Sequence, residues 1–296
     1  MLYFYPTNQY WRKSLKMQQH HFSTAKTLIH SAIYFLLFLA GDLLNGLLFD
    51  LVFSVVKLPS SESYVIPRML GCLALTLLLF WFYTTKYLHL KMEDFRITFD
   101  IKSWGIILSV LLPVFVVIVY LMVGKIEVNA FDFGDSILSI IASMFMALKA
   151  GILEEILFRG FIMRLLESRW GKTIAILLPS FLFSLSHIPS MESFTVAGVV
   201  LLVVSGTLVG VMFSLVAYQG NSISNNALMH SVWNFVMVTS ILHITTAQGA
   251  YGKPFVQILI PSNNILLTGA GFGSEVSLIA VIGYVLVCVI MIIRKK

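Results

Sequence analysis

Long apolar stretches alternate with short polar ones along the chain. A helix needs about 20 consecutive apolar residues to cross a hydrocarbon core. Reading for such runs gives eight: roughly 30–56, 66–88, 103–123, 135–158, 172–189, 196–218, 222–245 and 275–293. The first and fourth are the least uniform, because each contains acids. Residues 86–102 form a short, charged, amphipathic connection. The connection 246–274 is long and rich in Gly, Asn and Pro, so it reads as an irregular loop. Its Gly269-x-Gly271-x-Gly273 run lacks the strand-turn-helix setting a phosphate cradle needs. The pattern predicts an all-α, polytopic membrane protein of about eight transmembrane helices.

Composition sharpens this picture. Of 296 residues 58% are hydrophobic and only 11% charged, and the mean hydropathy is +0.90. A soluble protein is about a quarter charged, so a soluble enzyme, a disordered chain and a nucleic-acid binder are all excluded as readings. The net charge of +6 is carried by clusters between apolar runs, which suits anionic membrane lipid rather than nucleic acid. With the N-terminus in the cytoplasm, fourteen Lys and Arg fall in inside segments. Four fall outside: Lys57, Arg68, Lys125 and Lys253. That asymmetry predicts both termini inside. Residues 1–29 carry no cleavable signal sequence and read as a cytoplasmic or interfacial arm. Cys72 and Cys288 each stand alone in an apolar run, as buried thiols do.

Acids inside apolar runs carry the chemistry, since a charge at mid-bilayer costs about 2.5–3.5 kcal/mol on insertion scales. Asp42, Asp50, Glu154 and Glu155 are so placed, with Asp135 at an edge. For Asp42, Asn45 and Asp50 interhelical pairing is the expected role. Glu154 and Glu155 are adjacent, and Arg159 follows Glu155 at i,i+4, on one helix face. Glu154, about 100° further round, points elsewhere. Ser139, Ser143, Ala147 and Gly151 lead up to them as a small-residue face suited to close helix packing.

Four histidines, His30, His187, His230 and His243, fall in predicted spans. His187 ends the fifth run in Phe183-x-x-x-His187, and His230-x-x-x-Asn234 puts an imidazole and a carboxamide on one face of the seventh. Glu154, Glu155, His187, His230 and Asn234 therefore define an intramembrane polar site on three spans. Two arrangements stay open. In one, a carboxylate surrounded by protein activates a water, a histidine shares that water, and Asn234 donates to the oxyanion. In the other, Zn²⁺ is held by His187, His230 and one of the two glutamates with an open position. No His-Glu-x-x-His helix, Gly-x-Gly-Asp site or Ser/His pair stands out. Straight spans would leave Glu154 and His187 about 20 Å apart in depth. The site therefore requires a tilted fourth helix running towards residue 168, and a fifth helix bent at Pro179.

The ordered set Glu154-Glu155-x-x-x-Arg159, Phe183-x-x-x-His187 and His230-x-x-x-Asn234 resembles the three motifs of the CPBP family (CAAX protease and bacteriocin-processing, or Abi) of intramembrane proteases. The type II CAAX prenyl endopeptidases belong to this family. The resemblance covers residues 139–238 and divides the chain into four. These are the arm 1–29, N-terminal transmembrane helices 30–138, a catalytic core 139–238, and a loop with the C-terminal helix 239–296. It implies an integral membrane endopeptidase, in a bacterial plasma membrane, acting on a peptide or lipid-modified peptide. Glu154 would be the water-activating base, supported by Glu155 and Arg159. His187 would share the water or metal, and His230 with Asn234 would complete the centre. Peptide maturation, signalling and bacteriocin immunity are the implied settings; zinc and a metal-free glutamate mechanism are equally allowed. Two other classes compete: a non-catalytic scaffold regulating a partner protein, and a proton-coupled transporter, which the clustering of acids in one half disfavours. The oligomeric state is left open.

Overall fold

The computed structural model describes residues 22–129, 133–246 and 254–294. Within them the chain is a helical bundle: α1 Thr24–Val55, α2 Ser61–Phe82, α3 Ser103–Val123, α4 Phe133–Glu155, α5 Met163–Ser186, α6 Val196–Gly220, α7 Ser224–Met237 and α8 Leu278–Ile293. Each matches one apolar run. Side chains with no polar alternative fix the ends: Ser23, Ser60, Thr195 and Ser277 cap α1, α2, α6 and α8 by accepting from backbone N–H groups. The outer faces are apolar. Leu36, Leu43, Leu47 and Leu51 of α1 are all more than half exposed, a surface that suits lipid and not water.

Four helical stretches are long and apolar enough to cross a membrane in the ordinary way, and a fifth, Phe133–Ser190, is far longer than one crossing. α7 and α8 have 14 and 16 residues, about 21 and 24 Å long, shorter than a full hydrocarbon core. The seventh predicted run, 222–245, is thus corrected. It breaks after Met237, and residues Leu242–Thr245 form a strand, β2. A small three-stranded sheet is added to the mostly helical bundle. β1 Lys125–Val128 pairs antiparallel with β3 Val256–Leu259, which pairs parallel with β2. β3 and the one-turn helix Ile265–Thr268 lie in the stretch expected to be irregular. His243 sits on β2 opposite Gln257, not on a membrane helix.

The ends of the bundle are distinct. At one end Arg169 donates to Thr24, Lys172 stands over Tyr218, Asn225 binds the backbone of Lys102 and Asp100, and Arg294 stands over Trp104. At the other lie the sheet and the loop preceding α8, tied to α3 by Tyr120, whose hydroxyl donates to the carbonyl of Leu267. The basic segments expected inside therefore gather at one end.

α4 does not stop at residue 158. It runs through a π-helical stretch, Ile156–Ile162, into α5, and the helical path is interrupted only at Gly171 (φ 77°). Continued straight, residues 154 to 187 would span about 50 Å. The side chains of Glu154 and His187 instead approach to 3.8 Å, so the chain reverses at Gly171. The two arms, 17 and 16 residues long by position in the sequence, return His187 to the level of Glu154. The long fourth helix is as expected. The reversal at Gly171, where the left-handed region favours glycine, supplies the return expected of a bend at Pro179.

Acids in the N-terminal helices are paired between helices, as read from the sequence. Asp42 bonds Lys149 of α4 at 3.0 Å and accepts from the Cys72 thiol. Asp50 pairs with Arg68 at 3.1 Å, and Asn45 donates to the carbonyl of Arg68. His30 is buried against the Tyr83 hydroxyl at 2.7 Å. Both cysteines are free and buried.

Candidate active site

The site is assembled where α4 meets α7. Gly151 permits this contact, because a Cβ there would lie 2.3 Å from Ser231 Oγ and 2.7 Å from its backbone N. The small-residue face of α4 thus lets the backbone of α7 approach, and His230, next to Ser231, arrives beside the glutamates. Ser143, Ala147 and Gly151 are buried there, whereas Ser139 is only partly buried. α6 packs on α5 in the same way, with Gly206 and Gly210 against Ser184 and Ser180.

Glu155 is completely buried. Its Oε1 accepts from Arg159 Nη1 at 2.8 Å and from His230 Nδ1 at 2.9 Å, and its Oε2 accepts from Asn226 Nδ2. Arg159, equally buried, donates its other terminal nitrogen to the carbonyl of Gly210 at 3.2 Å. Its guanidinium lies over the rings of Phe183 and Phe213. The ion pair is thus set among charge-assisted bonds and aromatic faces, the condition under which a buried pair is tolerated. Asn226 was missed in the sequence reading. It stands one turn before His230, so Asn226-x-x-x-His230-x-x-x-Asn234 is a single stripe on α7.

Glu154 faces away from this shell into a cavity of about 310 Å³, which it lines with His187, His230 and Asn234. Its Oε2 is 3.8 Å from His187 Nε2 and 3.9 Å from His230 Nε2, and has no hydrogen-bond partner among the described residues. The tautomers follow from the other ring nitrogens. His187 Nδ1 lies 2.8 Å from the carbonyl of Phe183, which only accepts. His230 Nδ1 faces the Glu155 carboxylate, which also only accepts. Both imidazoles therefore carry hydrogen on Nδ1, and in the neutral tautomer each presents its Nε2 lone pair. Three acceptor atoms converge, and what satisfies them must bring hydrogens or positive charge.

The donor chemistry of that trio is that of a His₂Glu zinc site, but its spacing is not. Ligands about 2.0–2.1 Å from a tetrahedral ion lie about 3.4 Å apart, and no group of three or more His, Cys, Asp or Glu among the described residues meets metal-binding geometry. As arranged, the three atoms do not close on one ion. A water that hydrogen-bonds at about 2.8 Å to each of two acceptors is compatible with the 3.8 and 3.9 Å separations.

A polytopic helical bundle enclosing a Glu/His/His/Asn centre defines the class of the protein. Residues 136–236 match the family described as Type II CAAX prenyl endopeptidase Rce1-like. The match covers about a third of the chain and contains Glu154, Glu155, Arg159, His187, His230 and Asn234. It bears out the resemblance read from the motifs. No curated protein and no solved structure is matched by the chain.

Proposed function

We propose that the protein is an intramembrane endopeptidase that hydrolyses a peptide or lipid-modified peptide bond with a water activated by Glu154. The observation that carries this reading is the convergence of Glu154 Oε2 and two imidazole Nε2 atoms on the cavity, with no donor among them. A water there gives one hydrogen to Glu154 and one to an imidazole. As its oxygen attacks the scissile carbonyl, Glu154 takes the first proton. The carbonyl oxygen becomes an oxyanion, to which the Asn234 amide is the available donor. Collapse of the tetrahedral species breaks the C–N bond, and the proton held by Glu154 passes to the leaving amine. Glu155, Arg159 and Asn226 act through His230, fixing its tautomer and orientation, and are positioning residues.

No step in this scheme runs through a metal. The cavity wall takes in the end of α4, the last turn of α5, α6 from Leu202 to Phe213 and α7 from His230 onward. Tyr284 of α8 and the loop before α8, which belongs to the sheet-bearing end, complete it. Lys and Arg concentrate at the opposite end, which by charge asymmetry is cytoplasmic. Substrate then enters from the outer face of what we take to be a bacterial plasma membrane. That sidedness suits maturation of an exported peptide or signal, or a bacteriocin-immunity role.

The test is cleavage of a fluorogenic peptide panel in liposomes by wild type, Glu154→Ala and His187→Ala at matched folded levels. Cleavage by wild type alone, surviving a chelator, is expected. Equal cleavage by all three would overturn the enzyme reading in favour of a scaffold, and loss with chelator, restored by Zn²⁺, would overturn the metal-free water.

A further inference from the structure

A second carboxyl lines the same cavity, and neither the proposed hydrolysis nor the family motifs use it. Glu275 lies in the 3₁₀ turn Ser274–Val276, before α8 and outside the matched segment. The glycine run Gly269–Gly273 is what presents it. Gly269, Ala270, Gly271 and Gly273 all have positive φ. The resulting strap is anchored on both sides: the carbonyl of Gly271 accepts from the amide of Glu192 at 2.9 Å, and Ser205 donates to the carbonyl of Val276 at 3.0 Å. Phe272 on the strap faces the His187 ring. Tyr284 donates to the backbone carbonyl of Glu275, not to its carboxyl.

Among the described residues, no hydrogen bond or ion pair reaches that carboxyl, so it is a rigidly held acid with no protein partner. Its surroundings are selective. The cavity is lined by two carboxyls, Glu154 and Glu275, by no Lys or Arg, and by the rings of Trp233, Phe272 and Tyr284 beside Glu275. Carboxyls among aromatic faces attract cations and repel anions. A neutral amide would satisfy the acid only in part, and an anionic group would meet two like charges.

We propose that Glu275 is a specificity residue that binds a cationic side chain, Lys or Arg, of the peptide substrate and so sets which bond lies over Glu154. This rests on the endopeptidase reading of the cavity. Burial without a charged neighbour pushes its carboxyl up to about 8, so a bound cation supplies the partner that lets it ionise.

The experiment uses the full-length protein in liposomes and apolar fluorogenic peptides with a single Lys walked through each position, beside the same peptides with norleucine. At one position wild type is expected to prefer Lys by about tenfold or more in kcat/KM, the scale of one charge-assisted bond. In Glu275→Gln the Lys-to-norleucine ratio should fall towards one, and Glu275→Asp should keep part of it. The ratio within one variant is independent of how much protein is folded. No preference in wild type, or an equal ratio in Glu275→Gln, overturns the proposal while leaving the endopeptidase reading intact. Should no peptide be cleaved, that reading fails. Binding of the same labelled peptides to wild type and Glu275→Gln then decides this one by the same ratio.

Discussion

Glu155 turns into a closed shell where Arg159, His230 and Asn226 all donate to it, whereas Glu154, one residue earlier, faces a cavity with an oxygen no protein group donates to. The sequence letters are identical and the helix is continuous; only the direction of the side chain differs. A carboxylate with both oxygens engaged by three donors orients its neighbours and is a poor proton acceptor. A carboxylate facing two imidazole nitrogens can take a proton. The pair teaches that adjacent acids divide into a builder and a reactant.

The sharpest way to break this comparison is to remove each charge alone. Glu154→Gln should lower cleavage by about 10³-fold, the scale of a lost general base, with no loss of thermal stability in detergent. A variant that still cleaves would mean Glu154 is not the base. Glu155→Leu and Arg159→Met should each destabilise by about 3–5 kcal/mol, because each strands a buried charge. The double variant Glu155→Leu/Arg159→Met should recover most of that stability, measured by denaturant unfolding, yet not the cleavage, since His230 has lost the acceptor that fixes it. Recovery of both would reduce the pair to packing.

A smaller effect probes how the two halves are held together. Gly151→Ala places a methyl against Ser231 and should push α7 away from α4. The expected loss is about 1–3 kcal/mol, and a displacement near 1 Å can lower cleavage about 10²-fold. Gly134→Ala, with nothing within 4 Å, is the control. If both variants behave alike, close helix approach is not what sets His230 against Glu155.

Much of this site was legible because it is written in helical spacing. Glu155 with Arg159, Phe183 with His187, and His230 with Asn234 are each four apart, and the structure brings all three stripes to one place. The same spacing extends to Asn226, which the three motifs do not include. What could not be read depends on residues far apart in sequence. β1 pairs with β3 across about 130 positions, and four-residue strands leave no periodicity to detect. The seventh run seemed longer than its helix because β2 is also apolar. The runs implied a reversal between the fourth and fifth spans but not its place at Gly171. Glu275 fell at the start of the eighth run, with nothing in the pattern to show the preceding strap folding over the cavity.

Glu275 extends the comparison to a third state of the same group: a carboxyl neither engaged by donors nor facing imidazoles. Its raised value, about 8 against an ordinary 4.5, makes the weakest but cleanest prediction. Between those values the folded protein keeps a proton that the unfolded chain has released. Stability attributable to this group is therefore full below about pH 4.5 and declines as pH rises towards 8. The titratable groups lining the same cavity are Glu154, His187, His230 and Tyr284. Histidine ordinarily titrates near pH 6.5, inside that window, so the contribution of Glu275 is read as the difference between wild type and Glu275→Gln. Glu275→Gln, uncharged throughout, should lose this slope: wild type and variant should unfold alike near pH 5, with the variant melting progressively higher by pH 8. Parallel melting curves across the range would mean the carboxyl is solvated or paired, and Glu275 would then be no different from Glu155.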